Sequence, residues 1–263
     1  MARASSYPGG GAHALVRRVS GLTWLKCAAM RKAAFPLILL AVAALSSPAA
    51  AHKLPVVVEL FTAQGCSSCG KANVFVGELA ERPDVLVLTW PVDYWDYLGW
   101  SDTFAMPPFA DRQRAYVKRL GLREVYTPQV VVNGRWQAAG GKPEQVEGLL
   151  QQAARAPQNP PDMLFMQNGK IAVGSGPVPR GGAEVWLIRY DPRELEVDVR
   201  KGDNRGETIR HRNVVRQVER LGRWRGRPTA YRLPPTEEED LETLVVVQQT
   251  GGGRILALLK REP

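Results

Sequence analysis

The sequence predicts an α/β domain followed by a smaller β-rich one, on three observations. Residues 54–156 alternate strand-like and helix-like stretches, which argues for a sheet packed with helices. A proline-rich, aperiodic run follows at 157–161. Beyond it, 162–263 breaks into short apolar runs separated by Gly and Pro turns.

Val56–Phe61 is a β-branched run of the kind buried on both faces of a sheet. Ala72–Leu79 spaces Val74, Phe75 and Leu79 at helical intervals, and Val85–Val92 is a second buried strand. Phe109–Leu120 reads as a helix stopped by Gly121. Val130–Val132 is a strand that turns at Asn133-Gly134, a hairpin signal, and Pro143–Ala154 is a helix with Val146, Leu149 and Leu150 on its apolar face. In the second part, Met163–Met166, Ile171–Val173, Ala183–Tyr190, Leu195–Val199, Leu244–Gln249 and Ile255–Leu259 read as strands. Val214, Val215, Val218 and Leu221 fit one face of a helix as well as a strand.

The formal charge of +9 invites a nucleic-acid reading, but its placement argues otherwise. Residues 1–51 hold six of the 35 bases and no acid, so without them 29 bases face 26 acids. That region reads as an export signal. From Met30, the expected start, it runs Met-Arg-Lys, then an apolar stretch from Ala33 to Leu45, then alanines with cleavage expected after Ala51. The apolar stretch is too short for a permanent span, and no later stretch is long and apolar enough. The expected location is therefore periplasmic or secreted, an oxidising setting, with Cys27 removed and Cys66 and Cys69 retained. Lys201–Arg232 carries ten bases and three acids, read as a solvated face rather than a nucleic-acid site.

The chemistry concentrates at Cys66-Ser67-Ser68-Cys69, where a buried strand hands over to a helix. Unpaired N–H groups and the dipole at a helix amino end favour a thiolate there, which makes the pair a candidate redox centre. Two plainer readings stand beside it. A static disulfide closing so short a loop contributes about 2 kcal/mol in the chain-entropy model, against about 4.7 for a 100-residue loop. A metal site would need further ligands, and no second C-x-x-C or histidine cluster is present. A copper site would use the amine and imidazole of His52 at a cleaved amino terminus, and the only other histidine after residue 51 is His211. No cofactor is implied.

Tyr126-Thr127-Pro128-Gln129-Val130-Val131-Val132-Asn133-Gly134, read with the upstream cysteines, resembles the thioredoxin segment in which a Thr-Pro with a cis bond faces the C-x-x-C. The resemblance covers Val56 to about Ala154 and implies a thioredoxin-like fold for 52–156. It implies Cys66 as attacking thiolate, Cys69 as resolving thiol, and a disulfide between them. Thr127 and Pro128 would then position an extended substrate with protein thiols or disulfides. Thioredoxins also carry a buried acid six residues before the first cysteine. Glu59 stands seven before, a candidate proton acceptor if the chain bulges at Gln64-Gly65.

More closely, the chain resembles an uncharacterised family of exported bacterial thioredoxin-like proteins. The motifs are Glu-Leu-Phe-Thr-x-Gln-Gly-Cys-Ser-Ser-Cys at 59–69, Val-Asp-Tyr-Trp-Asp-Tyr-Leu-Gly-Trp at 92–100 and Tyr-Thr-Pro-Gln at 126–129, and the likeness continues through Asn213-Val214-Val215-Arg216. Gly70-Lys71 departs from it, because relatives tend to have prolines after the second cysteine. Tyr94, Trp95, Tyr97 and Trp100 form either a local core or an aromatic rim for a protein partner. The function expected is thiol–disulfide exchange. The alternatives are an envelope binding protein with a non-catalytic disulfide, or a copper-handling chaperone.

Overall fold

The computed structural model describes residues 53–236 and 240–262. The export region, His52 and Cys27 lie outside the described residues.

Strand β1 (Val56–Thr62) is buried along its whole length, as its unbroken apolar run predicts. Helix α1 (Cys69–Leu79) follows, then β2 (Val85–Pro91), which pairs in parallel with β1. A 3₁₀ turn (Asp96–Leu98) leads to α2 (Pro107–Leu120), which starts on prolines and ends at Gly121 with φ 67°. Its backbone N–H closes on the Val117 carbonyl, so a left-handed residue serves as the stop. The hairpin β3 (Gln129–Val132) and β4 (Trp136–Ala139) turns at Asn133-Gly134, and α3 (Pro143–Arg155) packs behind it.

Side-chain alternation along β1 builds two layers. Val56, Val58 and Leu60 face Ala72, Val76 and Leu79 of α1 and Val146, Leu150 and Ala153 of α3. Val57 and Phe61 face the other way, into a cluster with Trp90, Phe109 and Tyr116.

The remaining strands are β5 (Met163–Met166), β6 (Lys170–Val173), β7 (Ala183–Asp198), β8 (Thr208–Trp224), β9 (Thr229–Arg232), β10 (Glu242–Gln249) and β11 (Ile255–Lys260). Four of them extend the first sheet. The order is β11-β10-β7-β8-β2-β1-β3-β4, a mixed sheet, while β5-β6-β9 form a small antiparallel one. The small sheet covers the far end of the large one over Ile171, Val185, Leu187, Trp224 and Val247.

This changes the expected division into two domains. Residues 52–263 form one compact unit, and 157–161 is a connection within it. Gln158 accepts the Leu54 N–H at 2.9 Å, so the proline-rich run is stitched to the start of β1. The segment that fitted helix or strand, Val214–Leu221, is strand β8. The two expected strands at Ala183–Tyr190 and Leu195–Val199 are one bulged strand, β7, with register shifts against β8 at Val185/Trp186, Arg189/Tyr190 and Asp191/Glu194. Among the described residues, no helix is long and apolar enough to cross a membrane.

Candidate functional site

Cys66 ends the turn after β1, and Cys69 opens α1. The two form a disulfide with their Cα atoms 5.4 Å apart. The turn is closed by Cys66 N–H to the Ala63 carbonyl at 3.1 Å and Cys69 N–H to the Cys66 carbonyl at 3.0 Å. Ser67 and Ser68 are exposed, and Ser68 Oγ lies 3.5 Å from Cys66 Sγ. The cysteines themselves are covered, Cys66 at 2% and Cys69 at 0% exposure. Burial therefore does not distinguish the cysteine expected to attack from the one expected to resolve. Gly70 faces Ile209 of β8, whose Cδ1 would lie 3.4 Å from an added Cβ.

The Thr127–Pro128 bond is cis. Pro128 reaches α1 through Gly140, where an added Cβ would lie 3.0 Å from Pro128 Cβ and 3.1 Å from Ala72 Cβ. Gly140 also donates its N–H to the Pro128 carbonyl at 2.8 Å. Thus the fold brings the Thr-Pro corner against the helix that Cys69 begins.

The aromatic insert closes another side. Trp95 donates its indole N–H to the Thr127 hydroxyl, and an added Cβ on Gly65 would lie 3.6 Å from Trp95 Cβ. Tyr94 donates its hydroxyl to Gln113 at 3.1 Å, and burial pushes its pKa up to about 12. Trp100 donates to the Gln64 side chain at 2.9 Å. Tyr97 stacks on Trp95 with centroids 6.3 Å apart and is 77% exposed. The four aromatics divide accordingly: Tyr94, Trp95 and Trp100 are anchored in the protein, and Tyr97 faces solvent.

Glu59 does not join this group. Strand alternation turns it toward α2, where Arg112 Nε lies 2.6 Å from one carboxylate oxygen and the Tyr116 hydroxyl donates to the other. Arg112 also lies over the Trp90 ring at 4.8 Å. Its charge is held by Glu59 and Tyr116 against the opposing effect of burial, so its pKa is raised. One carboxylate oxygen is held in a buried ion pair and the other accepts the Tyr116 hydroxyl, and no hydrogen bond among the described residues links Glu59 to a cysteine.

Three partners of the turn carry no motif. Asp102 accepts the Gln64 N–H at 2.7 Å, and burial pushes its pKa up to about 6. Asn73, one helical turn after Cys69, accepts from the Thr62 hydroxyl at 2.7 Å and lies 3.3 Å from Nδ1 of His211. Burial, assisted by the nearby Arg216 charge, pushes the His211 pKa down to about 4, so the ring is neutral at ordinary pH. His211 packs edge-on against Phe104. Among the described residues, no group of three His, Cys, Asp or Glu is placed to hold a metal. The third partner is Asn204, from the turn between β7 and β8, whose amide donates to the carbonyls of Gln64 and Cys66 at 2.7 and 2.9 Å. Nothing in the sequence near Asn204 signalled its reach.

No curated protein matches the chain. A crystallised protein from Agrobacterium tumefaciens is similar over 80% of this chain and 95% of its own, at 30% identity with a TM-score of 0.65. The model of a family described as protein of unknown function (DUF1223) matches residues 57–248, a span that includes the cysteine turn, the Thr-Pro corner, the aromatic insert and Asn204. The chain belongs to that family of proteins of unknown function.

Proposed function

We propose that the protein is an exported, thioredoxin-like thiol–disulfide oxidoreductase working through Cys66 and Cys69. The observation that carries the reading is the disulfide at the strand-to-helix junction, with the Thr127–Pro128 corner packed against the same helix. The export-type segment before His52 supports an oxidising compartment, where a closed pair is the resting form.

The chemistry balances without a cofactor. In the reducing direction the Cys66 thiolate attacks a substrate disulfide, and one substrate sulfur leaves as thiolate. Cys69, once deprotonated, attacks Cys66 Sγ, closes the Cys66–Cys69 bond and expels the second substrate thiolate. In the oxidising direction a substrate thiolate opens the pair, and the same steps run backward. The amino end of α1 favours negative charge at Cys69 as that bond opens. Thr127 has no backbone partner among the described residues, which supports pairing with an extended substrate there.

Replacing Cys66 by Ser should abolish exchange with a model disulfide, and Cys69→Ser should trap a mixed disulfide on Cys66. Undiminished turnover in Cys66→Ser overturns the proposal. The burial of both sulfurs favours a second reading, a binding protein with an inert clip. A reduction potential well below about −300 mV would support that reading instead.

A further inference from the structure

Asn204 is distant in sequence from the cysteines yet bonded to their turn. Its buried amide nitrogen offers two hydrogens, and each goes to a main-chain oxygen: Gln64 at 2.7 Å and Cys66 at 2.9 Å. The Cys66 carbonyl is the one that also accepts Cys69 N–H at 3.0 Å. One oxygen thus joins the two cysteines and Asn204.

The turn carrying Asn204 is itself fixed. Gly206 N–H closes on the Val199 carbonyl at 2.8 Å, and Glu207 N–H on Asn204's own carbonyl at 2.9 Å. Gly202 lies against Leu98 and Trp100 of the aromatic insert, where an added Cβ would find their Cβ atoms at 3.7 Å. The other approaches to the turn are held too, because Asp102 accepts the Gln64 N–H and Trp100 donates its indole N–H to the Gln64 side-chain oxygen.

We propose that Asn204 is a positioning residue of the redox pair, setting how readily Cys69 closes on Cys66. The assignment rests on the redox reading above. None of the bonds Asn204 makes involves a sulfur, so they can persist when the disulfide is reduced. The 64–66 segment then stays in the shape that presents Cys66 Sγ to Cys69, and ring closure gains the advantage of a prealigned intramolecular reaction. Without Asn204 two buried carbonyls lose a donor, the segment relaxes, and closure becomes less favourable.

The test is a glutathione redox titration of the wild type and Asn204→Ala, read by thiol alkylation and mass. A tenfold loss in the closure equilibrium is expected, which raises the midpoint potential by about 30 mV for this two-electron couple. Release of glutathione from its mixed disulfide with Cys66 should slow about tenfold. A merely structural role would weaken the oxidised and reduced proteins alike, lowering Tm and leaving the midpoint in place; that result overturns the assignment. The isosteric Asn204→Asp and the shorter Asn204→Ser are read the same way if Asn204→Ala does not fold. A wild type that never exchanges with glutathione defeats the redox reading itself. A working wild-type couple with unmoved variants defeats only Asn204.

Discussion

Trp95 donates its indole N–H to the Thr127 hydroxyl at 2.7 Å, which makes the aromatic insert and the Thr-Pro corner one unit beside the cysteines. Trp95→Phe keeps a ring against Tyr97 but removes that bond. Denaturant unfolding should show a loss of about 1 kcal/mol, the net worth of one such bond. Tyr97→Ala, at an exposed position, should change stability by less than about 0.5 kcal/mol. On the rim reading it should still raise KM for a protein disulfide and leave KM for a small one unchanged.

Glu59 and Arg112 provide a contrast between pairing and catalysis. Arg112→Leu leaves a buried carboxylate without its cation and should cost about 3–5 kcal/mol in denaturant unfolding. The double replacement Glu59→Leu with Arg112→Leu should recover most of that loss, since no charge is then stranded. Folded Glu59→Gln should keep the wild-type pH profile of Cys66 alkylation. A displaced profile would return Glu59 to proton transfer.

His211 should make stability depend on pH. Its folded pKa of about 4 lies below the ordinary 6.5, so between these values the unfolded chain binds more protons than the folded one. Stability from the neutral ring is therefore complete above pH 6.5 and lost as pH falls toward 4. The full span is on the order of 3 kcal/mol. Asp102, raised from 3.8 to about 6, acts with the opposite sign over a similar range. Unfolding measured from pH 4 to 7 should show a shallow net slope in the wild type. His211→Gln should expose the falling Asp102 contribution, and Asp102→Asn the rising His211 one.

Gly140 should tolerate no side chain. An alanine there would push between Pro128 and Ala72, and forced overpacking of this kind costs about 1–3 kcal/mol. Thermal unfolding of Gly140→Ala checks the cost. A variant as stable as wild type would show that the corner and the helix part easily.

The motif-bearing part was legible because its signals are local. Val56–Thr62 is buried on both faces and reads as an unbroken apolar run; Gly121 and Asn133-Gly134 mark their stop and turn without help from elsewhere. The later strands were harder. Bulges in the β7–β8 pairing break the two-residue alternation, so Val214, Val215, Val218 and Leu221 imitate a helical stripe. The proline-rich run resembled a boundary because nothing in its composition reveals Gln158 binding Leu54, 104 residues away. Glu59 was legible as a buried acid, but its partner on α2 depends on a contact 53 residues distant. Asn204 sits in a Lys-Gly-Asp-Asn stretch that any surface turn could contain, and its target lies 138 residues earlier.

The junction between β2 and β8 has a mechanical consequence. A single Cα pair, Thr89 with Val214, holds the register there. Side chains take over much of the work of a ladder: Thr89 Oγ1 donates to the Arg212 carbonyl at 2.6 Å, and Asn213, at φ 52°, donates to Val87 at 3.0 Å. The broad sheet thus has one line along which its backbone stitching is sparse, and that line separates the strands before the cysteines' covering turn from those that carry it. The core nevertheless runs unbroken across it, since Phe61 and Trp90 on one side share a buried cluster with Ile188, Tyr190, Val215 and Val246 on the other. The placement of Asn204 over Cys66 therefore depends on side-chain packing across this line more than on a continuous backbone ladder.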